Sequence, residues 1–365
     1  MPRTVDDLSL DIWRQILLYV RARDVCAFRA VNREASRVLA PFVPHTKGPV
    51  VHLSRPSNKG HEEAFIWILE QKNVIHNITG CFDKAAKRGY LRVLKVLHLS
   101  YGDCRGLCTV NAMDYAAIAG HLQVVQWLHT HRTEGCTSMT MNYAARYGRL
   151  DVVKWLHANR TEGCTVDAMD NAASNGHLDT VKWLHANRDE GCTTDAMDYA
   201  AKAGHLDVVK WLHENRTEGC TTMAIRNVAL NGHLEVVKWL HANRDGGCTP
   251  LAMDDAAKNG HLDVVKWLHE NRTEGCTTMA IRNAALNGHL EVVKWLHANR
   301  TEGCTPLAMD DAAKNGHLEV VKWLHANRTE GCTPLAMRDA AKNGHLEVVK
   351  WLQSISKSWL TPFYV

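Results

Sequence analysis

From Cys108 to Trp351 the apolar and polar positions of this protein recur with a fixed step. Cys276, Cys304 and Cys332 stand 28 residues apart, and so do Trp295, Trp323 and Trp351. The unit Cys304–Gly331 reads CTPLAMDDAAKNGHLEVVKWLHANRTEG, and near-copies precede and follow it. A constant period in this range is the mark of a repeat architecture, in which one supersecondary unit is stacked many times.

Each unit predicts two short helices. Thr305 before Pro306 has the form of an N-cap followed by proline at the first helical position. The first helix then runs through Ala308, Met309, Ala312 and Ala313 and stops at Asn315–Gly316, where glycine supplies a left-handed cap. The second is expected from Leu318 to Ala326. At 100° per residue Leu318, Val320, Val321, Trp323, Leu324 and His325 fill a broad arc and leave Glu319 and Lys322 on a narrow polar edge. One unit cannot cover so wide an arc, whereas a stack can. An indole buries about 150–250 Å², on the order of 4–6 kcal/mol gross at roughly 25 cal/mol per Å². The tryptophan row is therefore expected to be core.

The string TPLAMDDAAKNGHLEVVKWL resembles the ankyrin repeat in its Thr-Pro-Leu opening, paired alanines, Gly-His turn and Val-Val-x-x-Leu second helix. Two features depart from that pattern. The first helix carries two extra residues between Leu307 and Ala312, with Ala308 in place of the family's histidine. Gly331–Cys332 also leads straight into Thr333–Pro334, which leaves no room for the family's β-hairpin finger. The resemblance implies an all-α, ankyrin-like αα-hairpin solenoid of 28-residue repeats without fingers, over residues 60–352 and about 11 units.

Residues 1–45 lie outside the repeat. Leu8, Ile12, Ile16, Leu17 and Val20 make one helical apolar pattern, and Val25, Phe28 and Val31 a second. The string LSLDIWRQILLYVRARDVCAFRAVNREASRVLA resembles an F-box, with Ser9 where that family usually has proline and without its aromatic after Glu34–Ala35. The resemblance implies that these eight apolar residues dock on a Skp1-like protein. A segment of about 40 residues rarely buries enough surface to stand alone. The other reading is thus a helical cap over the first repeat. Pro41, Pro44, Gly48 and Pro56 surround a linker at 46–59, and residues 353–365 read as a C-terminal cap or tail in which Trp359 folds back on the last unit.

Composition narrows the function classes. The 365 residues are 45% hydrophobic with a formal net charge of +4, spread through every unit, which does not favour nucleic acid as a partner. No apolar run approaches the ~18 residues of a membrane span, and MPRTVDDLSLDIW lacks the form of a signal peptide. The expectation is a soluble protein of the cytoplasm or nucleus, with no membrane partner. Its 12 cysteines recur too far apart to bridge, because stacked helices sit about 8–10 Å apart and bridged Cα atoms within about 4.4–6.8 Å. They are expected to be reduced, buried apolar plugs. Zinc on Cys304, His317 and His325 is the sharper alternative, but no Cys-x-x-Cys or close His pair supports it. No cofactor motif and no catalytic grouping stands out, so a non-enzyme is expected.

Comparing units within the sequence separates framework from freedom. The second helix barely changes, while the first varies on one face: Asn111, Asp114, Tyr115 and Ile118 in one unit, Met139, Asn142, Tyr143 and Arg146 in the next. In ankyrin-like stacks this helix lines the concave side, so a target-binding surface is expected at Tyr115, Ile118, Tyr143, Arg146, Asn171, Tyr199, Lys202 and Arg226; the alternative is a solvated face that drifts. Arg226, Asp254, Arg282, Asp310 and Arg338 alternate in sign at equivalent positions, which suggests Arg–Asp pairing between neighbours. Residues 220–275 and 276–331 are near-duplicates, so the C-terminal half reads as spacer and the tyrosine-bearing half as the recognition part. The leading function is an adaptor, the substrate-recognition subunit of a Skp1–cullin–F-box ubiquitin ligase with an unknown protein target on the solenoid. The second is a plain binding scaffold with a capped N-terminus.

Overall fold

The computed structural model describes residues 80–101, 108–244 and 247–359, of 356–359 the backbone alone. All of its regular structure is helical. Helices come in pairs, from Cys81–Arg88 with Leu91–Tyr101 to Pro334–Lys342 with Leu346–Trp359. They group into two compact units, one of residues up to Asn171 with Lys182–Glu190, the other of Ala172–Val181 with Gly191 onward. The expected F-box-like segment, the linker 46–59 and the first degenerate repeat lie outside the described residues.

The unit Cys304–Gly331 shows why the pair forms. Its first helix is Leu307–Lys314 and its second Leu318–Asn327. Pro306 has helical φ and ψ of −50° and −25° and leads into the first helix. At Thr249 and Thr333 the cap is extended and proline is the first helical residue, as the sequence predicts. The helix stops where Gly316 turns left-handed, at φ 80°. Gly316 N–H then donates to Ala313 and His317 N–H to Ala312, at 3.1 and 2.9 Å. That pairing satisfies carbonyls that the helix end leaves open. His317 is already the cap of the second helix, its carbonyl accepting from Val321 N–H at 3.0 Å.

Ala308, Met309, Ala312 and Ala313 of the first helix and Val320, Val321 and Leu324 of the second are buried. Their equivalents in the preceding unit are buried too, while in the last unit only Ala336, Ala340, Val348 and Leu352 are. Paired alanines let successive first helices approach closely. Each buried Val, Leu or Met then contributes about 1.5–3 kcal/mol.

The tryptophan row corrects the expectation. Among the described tryptophans only Trp127 is buried, at 8% exposure, and Trp155, Trp239, Trp267, Trp295, Trp323 and Trp351 are half-buried. Each precedes the buried leucine by one residue, 100° round the helix, which places it at the edge of the core. There the indole meets the edge of the preceding unit's histidine: His213–Trp239 centroids are 5.1 Å apart at 85°, His297–Trp323 5.1 Å at 84°. The following loop closes over the same edge. Arg300 Nε donates to Glu302 at 3.2 Å, and Arg300 Nη1 lies 3.2 Å from His269 Nδ1 of the preceding unit. Asn299 Nδ2 donates to the Trp295 carbonyl at 2.8 Å.

A second histidine row joins units at the Gly-His turn. His317 Nε2–H donates to the Leu286 carbonyl, at the end of the preceding unit's first helix, at 3.1 Å. A methyl on Gly288 would meet the His317 ring at 2.6 Å, so glycine is needed there for close approach as well as for its φ of 78°. The expected fold-back of Trp359 lies outside the described side chains. Residues 353–359 continue the last helix rather than leaving it, because Val348, Leu352 and Ile355 keep helical spacing with Val348 and Leu352 buried.

Two measurements follow. Leu240→Ala is expected to cost about 2–5 kcal/mol, and Trp239→Ala, half-buried, no more than about half of that; urea melts of both variants would reverse the order if the indole were the core. Burial lowers the pKa of His121, His205 and His289 below the usual 6.5, with neighbouring histidines adding to the shift at His205 and His289. Stability held by these neutral rings is complete above about pH 6.5 and is lost as the pH falls through their lower folded-state values. The melting temperature should therefore drop as the pH falls below about 6.5, and a flat profile would contradict the row's role.

Candidate binding surface

The first-helix face divides into positions that lock units together and positions that face solvent. The second of the variable sites is structural. Asp254 is buried and its carboxylate accepts both from Thr277 N–H (2.8 Å) and from Thr277 Oγ–H (2.7 Å) of the next unit. Asp198 holds Thr221 in the same way, and Asp310 holds Thr333. The threonine hydroxyl has one proton, given to the aspartate, so its lone pair is free for the helix: Met279 N–H donates to Thr277 Oγ1 at 3.0 Å. A negative group at a helix N-terminus is also favoured by the dipole. Asn142 reproduces the clasp with an amide, accepting from Thr165 N–H at 3.0 Å and donating to Thr165 Oγ1 at 2.8 Å.

The alternation in sign has a different partner from the one expected. Arg226 Nε donates to Asp255 at 2.6 Å and Arg282 Nε to Asp311 at 2.7 Å, not to Asp254 or Asp310. Asp254 and Asp310 are committed to their threonines, and the adjacent carboxylate is the one within reach. In the second unit the seams thus alternate, clasp after aspartate and ion pair after arginine. Arg226, expected on the target-binding face, is tied down by this pair.

The other expected residues are spread one or two to a repeat. Tyr115, Ile118, Tyr143 and Asn171 are half-buried, while Arg146, Tyr199 and Lys202 are exposed. Tyr115 has the Lys87 ammonium 5.2 Å from its ring centre, and Arg146 lies 6.0 Å from the ring of exposed Tyr147. Leu8, Ile12, Ile16, Leu17, Val20, Val25, Phe28 and Val31 lie outside the described residues.

Sequence reasoning passes over the most regular surface feature. Met223, Leu251, Met279, Leu307 and Leu335 are equivalent residues in the first turn of five successive first helices, and they are 37–45% exposed. At the last turn of the same helices Lys258, Lys314 and Lys342 are exposed as well. The signal is present as a 28-residue recurrence of Met or Leu, in the half read as spacer. Solvent-facing apolar side chains aligned over five repeats form one regular exposed row rather than scattered leucines.

The thiols offer little chemistry. The described cysteines are free, buried at 81, 108, 192 and 276, exposed at Cys332 and half-buried elsewhere, so the apolar-plug reading holds for some of them only. Burial pushes Cys108 up to about 12 and Cys164 and Cys276 to about 11, which keeps them as unreactive thiols at neutral pH. Among the described residues no group of three or more His, Cys, Asp or Glu is placed to hold a metal ion, and no helix is long and apolar enough to cross a membrane.

Models of ankyrin repeats match residues 281–358 as a set of three copies, and residues 141–185, 197–241 and 253–297 as a set of many. Together these spans take in more than half of the sequence. No family model matches the F-box-like residues 1–45. No curated protein matches this one.

The two kinds of seam can be compared one residue apart. Asp254→Ala strips the Thr277 cap of its acceptor and is expected to cost about 1–2 kcal/mol. Asp255→Ala, which breaks the ion pair to Arg226, should cost about 0–1 kcal/mol. Chemical denaturation monitored by circular dichroism orders them, and equal losses would refute the distinction.

Proposed function

The chain belongs to the ankyrin-repeat family, and we propose that its repeats present a protein target to a Skp1–cullin–F-box ubiquitin ligase. Ankyrin repeats are protein–protein interaction scaffolds, and this array carries the exposed Met/Leu row that such a scaffold needs. That row, from Met223 to Leu335, is the observation on which target binding rests. Successive first helices lie about 8–10 Å apart, close to one turn of a polyproline II segment, three residues at about 3.1 Å each. The target this row suits is therefore an extended segment with an apolar side chain at every third position. Acidic residues alongside would meet Lys258, Lys314 and Lys342. The ligase half of the reading is supported by the F-box-like order of residues 8–40, from Leu8 and Ile12 through Ile16–Leu17 to Val25, Phe28 and Val31.

Both halves are open to direct test. The purified protein is expected to capture Skp1, and Ile16→Asp with Leu17→Asp to abolish capture while the repeats keep their helical signal. A wild-type protein that does not bind Skp1 ends the ligase reading. Loss of repeat melting in the double variant would make residues 1–45 a cap instead. Met279→Asp with Leu307→Asp should weaken target capture at least about tenfold, since two half-buried apolar contacts of about 1 kcal/mol each are lost. Unchanged capture would move the target off this row.

A further inference from the structure

The formal charge of +4 is not shared evenly among the repeats, contrary to expectation. Residues 81–150 hold nine Lys or Arg against four Asp or Glu, whereas residues 151–365 hold 23 against 27. In the first of these stretches every described acid is already committed. Asp83 accepts from Thr109 N–H at 3.0 Å and from Thr109 Oγ–H at 2.7 Å. Asp114 accepts from the Thr140 hydroxyl, and Glu134 from Arg132 Nε–H at 3.2 Å. Lys87, Arg146 and Arg149 are exposed, and among the described residues none of them has an ion-pair partner.

These cations belong to one cluster, at the ends of three successive first helices, Cys81–Arg88, Val110–Ala119 and Ser138–Arg146. The Lys87 ammonium stands 5.2 Å from the centre of the Tyr115 ring. His121 packs its ring against Gly89 and reaches the Lys87 carbonyl. Arg149 lies over Gly120, its Nε–H donating to the Ile118 carbonyl at 3.4 Å. It holds the turn position that histidine fills in sister repeats, as at His121 and His205. Arg146 is 6.0 Å from the ring of Tyr147, which is 47% exposed. In the second compact unit Arg226 and Arg282 meet Asp255 and Asp311 of the next repeat, and in the first unit that register is held by Tyr115 and Tyr143. Among the described residues the cations thus gather with no carboxylate to answer them.

We propose that this cluster is the docking surface for an acidic polypeptide segment, a run of Asp or Glu brought by another protein. Successive first helices lie about 8–10 Å apart, which puts Lys87 and Arg146 roughly 16–20 Å from each other. That is the reach of about five or six residues of extended chain at about 3.3 Å each. A guest of this length sets one carboxylate against Arg146 and Arg149 and another against Lys87. Guanidinium takes a carboxylate through two parallel hydrogen bonds, and clustered arginines are a recurrent device for holding acidic motifs. Single-stranded nucleic acid fits less well, because it needs a series of open rings for its bases. Tyr115 is half-buried with Lys87 over its ring, Tyr143 is half-buried too, and of the three tyrosines only Tyr147 is exposed. The cluster lies in the first compact unit and the Met/Leu row in the second, so neither reading depends on the other.

The full-length protein is titrated into fluorescently labelled octaglutamate at low ionic strength and about pH 8, with anisotropy as the readout and octaglutamine and octauridylate as the other arms. Octaglutamate is expected to bind saturably and to weaken as salt is added, and octaglutamine not to bind. Arg149→His restores the residue of the sister turns, neutral at this pH, and Arg146→Gln keeps a long polar side chain. Together they should weaken octaglutamate binding at least about tenfold, the worth of one charge-assisted hydrogen bond, with the melting profile kept. Lys87→Gln, which touches no Asp–Thr clasp, should weaken it severalfold by itself. Lys258→Gln with Lys314→Gln, beside the Met/Leu row, should leave it unchanged. No saturable binding of octaglutamate, unchanged binding in Lys87→Gln, equal losses in the two double variants, or tighter binding of octauridylate would each overturn the proposal.

Discussion

Each helix pair here is too small to cover its own apolar side, so the stability of the array resides in the seams between neighbours. A first helix such as Leu307–Lys314 buries its alanines, a methionine and an aspartate, and it has no core until another first helix lies against it. Small side chains make that approach possible, and polar ones fix its register. The Asp–Thr clasp does the second job with one carboxylate. It satisfies a backbone N–H and a hydroxyl that would otherwise be buried without partners, and it frees the hydroxyl's lone pair to cap the helix. Nearest-neighbour coupling of this sort makes every interior unit interchangeable in framework and leaves its remaining positions free.

Much of this is legible in the sequence because it is periodic. Paired helices, the Gly-His turn, proline after threonine and the absence of a finger all follow from a 28-residue step with glycine and proline at fixed places. The failures share a cause. A helical wheel ranks positions by direction but does not say where the neighbouring unit ends. Trp239 therefore reads as core, although it sits 100° from buried Leu240 and is only half-buried. Asp254 reads as surface because it is charged and varies. Its partner Thr277 lies 23 residues on, and no local pattern links the two. Arg226 is matched by sequence to the right residue type at the wrong position, since Asp254 and Asp255 are told apart only by which one faces the threonine.

The candidate surface is half-visible for the same reason. Tyr199, Arg146 and Lys202 are exposed, yet chemistry alone favours the tyrosines over the methionines and leucines. What separates Leu307 from Leu324 is not hydrophobicity. The first stands in the opening turn of a first helix, beyond the reach of either neighbour, and the second faces the seam. Solvent exposure repeated at one register is information that only packing supplies.

Two edges of the array thus carry different kinds of variation. On the first-helix edge the framework tolerates change because clasp and ion pair can each close a seam, and solvent-facing residues drift between tyrosine, methionine, leucine and lysine. On the second-helix edge almost nothing drifts: histidine, tryptophan, arginine and glutamate are repeated from seam to seam.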